Sequence, residues 1–231
     1  MNRVSICVLL ILFKNLVMAQ NATYSLKVNI TPYYAHHELY LKDSSFSSND
    51  LDSVEISLFK FYISAIELLQ DNKTAFKEEN SYHLIDATSD GVKQIQLNLP
   101  ASLKYNQIKF NVGIDSATNV AGAEGGDLDP MRGMYWTWQS GYINLKLEGT
   151  HPHCNTRNHG FTFHLGGYRY PYNTLQSIVL PVINKESITI KADVKKLLQT
   201  INLSTTNQMM TPGKGASDLS QQVKAMFSTY E

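Results

Sequence analysis

Hydrophobic and polar positions alternate with a period of two along most of this chain, the signature of strands half-buried against a core. Residues 24–30 (YSLKVNI) alternate and predict a first strand; Pro32 predicts its end, and ELYLKD, from Glu38, a second short one. Residues 54–70 (VEISLFKFYISAIELLQ) are rich in β-branched and aromatic residues, with Ile56 and Leu58 on one face and Phe59 and Phe61 on the other. That predicts a strand buried on both sides, or two strands joined by a bulge near Ser64, with a helix as the competing reading. DNKT, from Asp71, is a turn. Further strands are predicted at 82–86 (YHLID), at 92–99 before Pro100, at 107–115 (QIKFNVGID), at 177–182 (SIVLPV) and at 187–194 (SITIKADV), with turns at SDG and INK between neighbours.

The stretch 127–167 organises the rest. In residues 143–149 (INLKLEG), Ile143, Leu145 and Leu147 share one face; in 161–165 (FTFHL), Phe161, Phe163 and Leu165 do. Trp136 and Trp138, two apart, share a face on an extended chain and read as an aromatic pair sealing a core. From Asp193 the period changes. Asp193 caps one or two helical turns in VKKLLQT. After TPGKG, Leu219, Val223 and Met226 or Phe227 form one helical stripe, predicting a helix over about 217–229 capped by Ser217 or Asp218. The expected fold is all-β: an antiparallel β-sandwich with a short C-terminal helical appendix, one domain over 20–231 without internal repeats.

The N-terminus changes the picture of where this domain works. MNR, the short apolar run VSICVLLILF, and Val17-Met18-Ala19 before Gln20 read as a secretory signal over 1–19. The run is interrupted by Lys14 and is too short to span a bilayer, so a periplasmic or extracellular, not membrane-spanning, protein is expected. Twenty basic residues balance twenty acidic ones, which argues against nucleic acid as a partner. With Cys7 in the signal, Cys154 is left alone and no intramolecular disulfide is expected. Four glycosylation sequons, at Asn21, Asn29, Asn72 and Asn202, matter only in a eukaryotic secretory route.

Legible chemistry is sparse. No phosphate loop of the strand–helix kind, no GxSxG and no HExxH occurs; AGAEGG reads as a flexible loop. With no activated nucleophile or acid–base pair in view, an enzyme is not expected. Asp115, Asp127 and Asp129 flank the glycine loop as turn caps or as oxygen ligands for a hard cation. HPHCNTRNH holds His151, His153, Cys154 and His159 and reads as a His-rich surface loop or a soft-metal site. His164 lies on a strand opposite the phenylalanines and before Gly166-Gly167, where another segment can come close. An imidazole on a rigid strand is a good soft-metal ligand; the alternative is a histidine bonded to a neighbouring loop.

GIDSATNVAG, then LDPMRGMYWTWQSGYINLKLEG, then FTFHLGG resemble the MbnP-like family, the methanobactin-associated copper-binding proteins and their exported bacterial relatives. FKFYISAIEL and YHLID are similar to its earlier strands, so the resemblance covers most of 20–231. It implies an antiparallel β-sandwich, export to the periplasm or outside, and a copper(I) site of two histidines with an oxidised tryptophan (kynurenine) nearby. A di-haem peroxidase-like partner makes that kynurenine. His164 matches the histidine of the family's HLG motif. The position of the second histidine, after an asparagine, is held here by Val120 after Asn119. His36, His37 and His83 are the candidates for a second metal ligand, and Trp136 and Trp138 for the modified or site-lining aromatic. The sequence therefore suggests a non-enzymatic binding protein holding copper through His164. The alternative is an extracellular interaction module that keeps the fold and has lost the copper site.

Overall fold

The computed structural model describes residues 22–41, 46–47, 53–89, 93–139, 141–182 and 186–229. The expected signal over 1–19, its cleavage before Gln20, the Asn21 sequon, most of the Ser/Asp loop near 44–53 and the turns around 90–92 and 183–185 lie outside these residues. Among the described residues no helix is long and apolar enough to cross a membrane.

Two sheets face each other. The smaller is centred on β1 (Thr23–Tyr34). β13 (Ser187–Asp193) pairs with it in parallel on one side, and β7 (Lys93–Pro100) antiparallel. β15 (Phe227–Thr229) adds beyond β13, and β2 (His37–Glu38) pairs Tyr33 and Tyr34. Pro32 does not end β1. It sits past the last β7 pair, at Ile30, where its missing N–H breaks no β7 bond, and its carbonyl accepts from the Leu39 N–H at 2.9 Å.

The larger sheet is built on β4 (Glu55–Gln70), one strand of 16 residues; the helical reading of this stretch is wrong. β3 (Phe46–Ser47), β6 (Tyr82–Asp86) and β5 (Lys73–Lys77) pair with it in succession. So do β10 (Gly141–Thr150) and β8 (Gln107–Val112). β11 (Gly160–Gly166) and β14 (Gln208–Met209) extend β10, β12 (Gln176–Pro181) extends β8, and β9 (Tyr135–Trp136) pairs with the start of β10. The bulge expected near Ser64 is present. The β8 register shifts between Ser64 and Glu67, and Ala65 between them takes φ +51°. A second shift, opposite Glu148 and Gly149, lets both Ile56 and Phe59 face inward.

Between the sheets lies the main core, including Leu26, Val28, Ile30, Phe59, Phe61 and Phe163, all fully buried. A smaller core sits on the outer face of the larger sheet, where Tyr62, Leu84, Leu128, Met134 and Trp136 pack under the segment 113–139. The architecture is thus the expected two-layer β fold, but its sheets are mixed: β1 with β13 and β11 with β14 run parallel.

Helices are few. Inside the stretch expected as loop, α1 (Ser116–Ala121) is capped by Asp115, whose side chain accepts the Thr118 N–H. α2 (Val194–Leu198) is capped by Asp193 as expected. The C-terminal helix differs from the expected 217–229. α3 (Lys214–Gln222) begins at Gly213, a 3-10 turn follows over Val223–Met226, and the chain then becomes β15. Pairing with β13 and ring contacts from Phe227 to Phe61 and Phe110 outweigh continued helix. Val223, Met226 and Phe227 are buried as the stripe requires, and Leu219 packs against the same core.

Candidate functional site

β11 presents Phe161, Phe163 and Leu165 to the core, which puts Thr162, His164 and Gly166 on the outer face. Gly166 is where Trp136 lies down: a Cβ there would come 2.6 Å from the Trp136 ring. His164 is 6% exposed. Across the sheet, His164 stands in register with Lys146 on β10, then Lys60 on β4, then Asp86 on β6, so a polar row crosses the outer face. Lys60 and Asp86 close it as an ion pair at 2.8 Å.

His164 Nε2 lies 2.7 Å from Glu148 Oε1, one diagonal step along β10. A carboxylate only accepts, so Nε2 carries the proton and Nδ1 keeps its lone pair. Burial pushes the His164 pKa down, Lys146 adds to this, and Glu148 opposes both. The ring is therefore held neutral and in one tautomer.

The other candidate histidines do not join it. His83 pairs with core-facing Ile63 and so belongs to the opposite face of the sheet, where its Nε2 lies 2.9 Å from Glu78. His36 and His37 are exposed at the turn into β2, in the smaller sheet. Val120 is 74% exposed on α1. Its neighbour Asn119 is buried and structural: its amide nitrogen donates to the Ile114 and Asp115 carbonyls, and its oxygen accepts the Tyr142 N–H at 2.8 Å. Trp136 and Trp138 do form a pair, with ring centres 5.6 Å apart, but only Trp136, on β9, is buried in a core; Trp138, in the turn that follows, is 61% exposed.

The three aspartates act as caps and ion partners. Asp115 and Asp129 cap α1 and the 3-10 turn at Pro130–Arg132. Asp127 accepts the Leu84 N–H at 3.0 Å and pairs with Lys93 at 2.9 Å. In the His-rich loop, His151 Nδ1 accepts the His153 N–H and His159 Nδ1 bonds the Cys154 carbonyl, so both rings staple the loop. Cys154 is buried rather than on the surface, and burial raises its thiol pKa. Among the described residues no three of His, Cys, Asp and Glu converge as a metal cage.

Two features escaped the sequence. The run YRYPY after FHLGG frames a small cavity of about 120 Å³ with Trp136, Tyr142 and Pro212. Tyr170 at its rim is 96% exposed. The aromatic run was a visible signal for it. The other is β14, which lays residues 208–209 beside Thr162 and Phe163. Nothing in QMMTP marks that segment as a strand.

The larger sheet of this two-layer β fold thus holds a buried imidazole bonded to a carboxylate on its outer face. The chain belongs to the MbnP family, whose sequence model matches residues 23–211. Among solved structures it is similar to MbnP from Methylosinus trichosporium, with 13% identity, a TM-score of 0.64, and coverage of 90% of this chain and 98% of that one. At that identity the likeness speaks to the fold. No curated protein matches in sequence.

The donor set offers a partial fit to copper. One neutral imidazole backed by a carboxylate suits a soft ion that accepts few ligands, and the second histidine of the family pattern is replaced by an outward-facing valine.

Proposed function

We propose that this MbnP-family protein is an exported, non-enzymatic binding protein that holds a soft metal ion, copper(I), at His164. The observation that carries the reading is the 2.7 Å contact between His164 Nε2 and Glu148. Metal-binding histidines commonly give their other ring N–H to a carboxylate, which fixes ring and tautomer and strengthens the free nitrogen as a donor. Here that leaves Nδ1 as the ligand atom. Glu148 orients the ring. Export is supported by the leader-like residues 1–19. A di-haem peroxidase-like partner belongs to this reading only if a tryptophan is oxidised, and Trp136, packed on Gly166 two residues along β11 from His164, is the candidate.

One observation favours a second reading, an interaction module without metal: Val120 stands exposed where the family resemblance places a ligand. Copper(I) titration of the exported protein against a competing chelator separates the two. Binding that is lost in His164→Gln supports the first; wild-type affinity no better than free imidazole leaves the second.

A further inference from the structure

Met210 directly follows the short strand that lies beside β11. β14 runs parallel to β11, with Thr162 opposite Gln208 and Phe163 opposite Met209. The Thr162 N–H bonds the Asn207 carbonyl at 2.8 Å, which anchors this register. One residue further in this register, just past the last pair at Met209, Met210 falls level with His164. Paired residues share a face, and the alternation agrees: Met209 packs on the main core with Phe163, while Met210 is 48% exposed. Neighbouring strands lie about 4.8 Å apart, within reach of a flexible methionine side chain.

We infer that the Met210 thioether is the second donor of the His164 site, so that the site is a nitrogen–sulfur pair selective for copper(I). The inference rests on the metal-binding reading above. Glu148 holds the ring from the β10 side, and Met210 stands on the β14 side. A neutral imidazole and a neutral thioether favour a soft monovalent ion and discriminate against zinc and hard divalent cations, which prefer further nitrogen, thiolate or oxygen ligands. The missing histidine at 120 is then no loss: the ligand comes from a strand that the sequence pattern conceals. Cys154, Met134 and Met226 are buried, and Met209 packs on the main core.

The test uses the full exported chain with copper(I) and a competing chelator, on wild type, His164→Gln and Met210→Leu. Leucine keeps the volume and removes the sulfur, and the half-exposed position leaves the fold intact, checked by unchanged circular dichroism and unfolding midpoint. The inference expects Met210→Leu to weaken copper(I) binding about tenfold or more, equivalent to roughly 1.4 kcal/mol per decade. It also expects the sulfur shell in the copper X-ray absorption spectrum to disappear. Unchanged affinity, or a persisting sulfur shell, overturns the Met210 assignment while copper binding at His164 stands. Wild-type binding no tighter than imidazole overturns both.

Discussion

Asn144 occupies the space that a side chain on Gly113 would need: a Cβ there would fall 2.4 Å from the Asn144 carboxamide carbon. This contact closes the fork where β8 and β10 both run along β4. The Asn144 side chain accepts the Ile114 N–H at 2.9 Å and donates to Thr174 Oγ1 at 2.8 Å. Gly113 also has φ +111°, which a side chain resists. Gly113→Ala is expected to cost about 3 kcal/mol from strain and overpacking together. Asn144→Ala should cost roughly 1–3 kcal/mol by stranding a buried N–H. Urea unfolding measures both; a loss below about 0.5 kcal/mol in either would mean that the fork relaxes freely.

The bulge in β4 makes an opposite prediction. Ala65 holds a left-handed backbone, φ +51°, which costs a residue with a Cβ about 1–2 kcal/mol. Ala65→Gly removes that strain and gains chain entropy in the unfolded state, so stability should change by less than about 1 kcal/mol. Ala65→Val, branched at Cβ, should be clearly destabilising by thermal unfolding. Equal midpoints for the two variants would show that the bulge moves.

Phe227 ties the tail to both sheets. It sits on β15 against β13, and its ring meets the edges of Phe61 and Phe110 at 5.7 and 5.4 Å between centres. Phe227→Ala should cost about 3–5 kcal/mol. Removal of residues 217–231 should lower the melting temperature further, since Val223 and Met226 go too. An unchanged transition would make the tail a free appendage.

Asp127 carries a pH dependence. Burial works to raise its pKa, but the bonds from Lys93 and the Leu84 N–H prevail and hold it below the ordinary carboxylate range. The unfolded chain therefore takes up this proton first, near pH 3.9. The stabilisation is complete above that value and is lost as pH falls through the lower folded pKa. Asp127→Asn should lower stability at neutral pH and flatten the acid limb of the unfolding midpoint. A parallel limb would place the acid sensitivity elsewhere, with Asp86 and Asp115 shifted in the same direction.

Local alternation was enough to reveal most strands of the fold, because burial on one face writes itself into period two. It worked for Phe161, Phe163 and Leu165, and for the bulge near Ser64, where a two-faced apolar run had to be reconciled. It failed where a distant partner decides. Pro32 stays in β1 because no β7 bond is due at that point. Phe227 leaves its helix because two phenylalanines and β13 claim it. Of the site, His164 and its outward face were legible, but Glu148 as its partner depends on register between strands. The tryptophan pair was legible too, but not that Trp138, in the turn that begins after Trp136, stays exposed.

The parallel pairing of β1 with β13 sets an order of events in time. The Ala35 N–H bonds the Asp193 side chain across 158 positions of sequence, and on the edge away from β7, Lys27 through Tyr33 pair with 187–193. A chain that emerges from its N-terminus first must carry Val28 and Ile30 unpaired on that edge until nearly all of it is free. Such long-range closure is slow, because the entropy of the loop is lost before the contacts form. The β1–β13 edge of the smaller sheet therefore closes last, and until then one side of β1 keeps its backbone groups open to other strands.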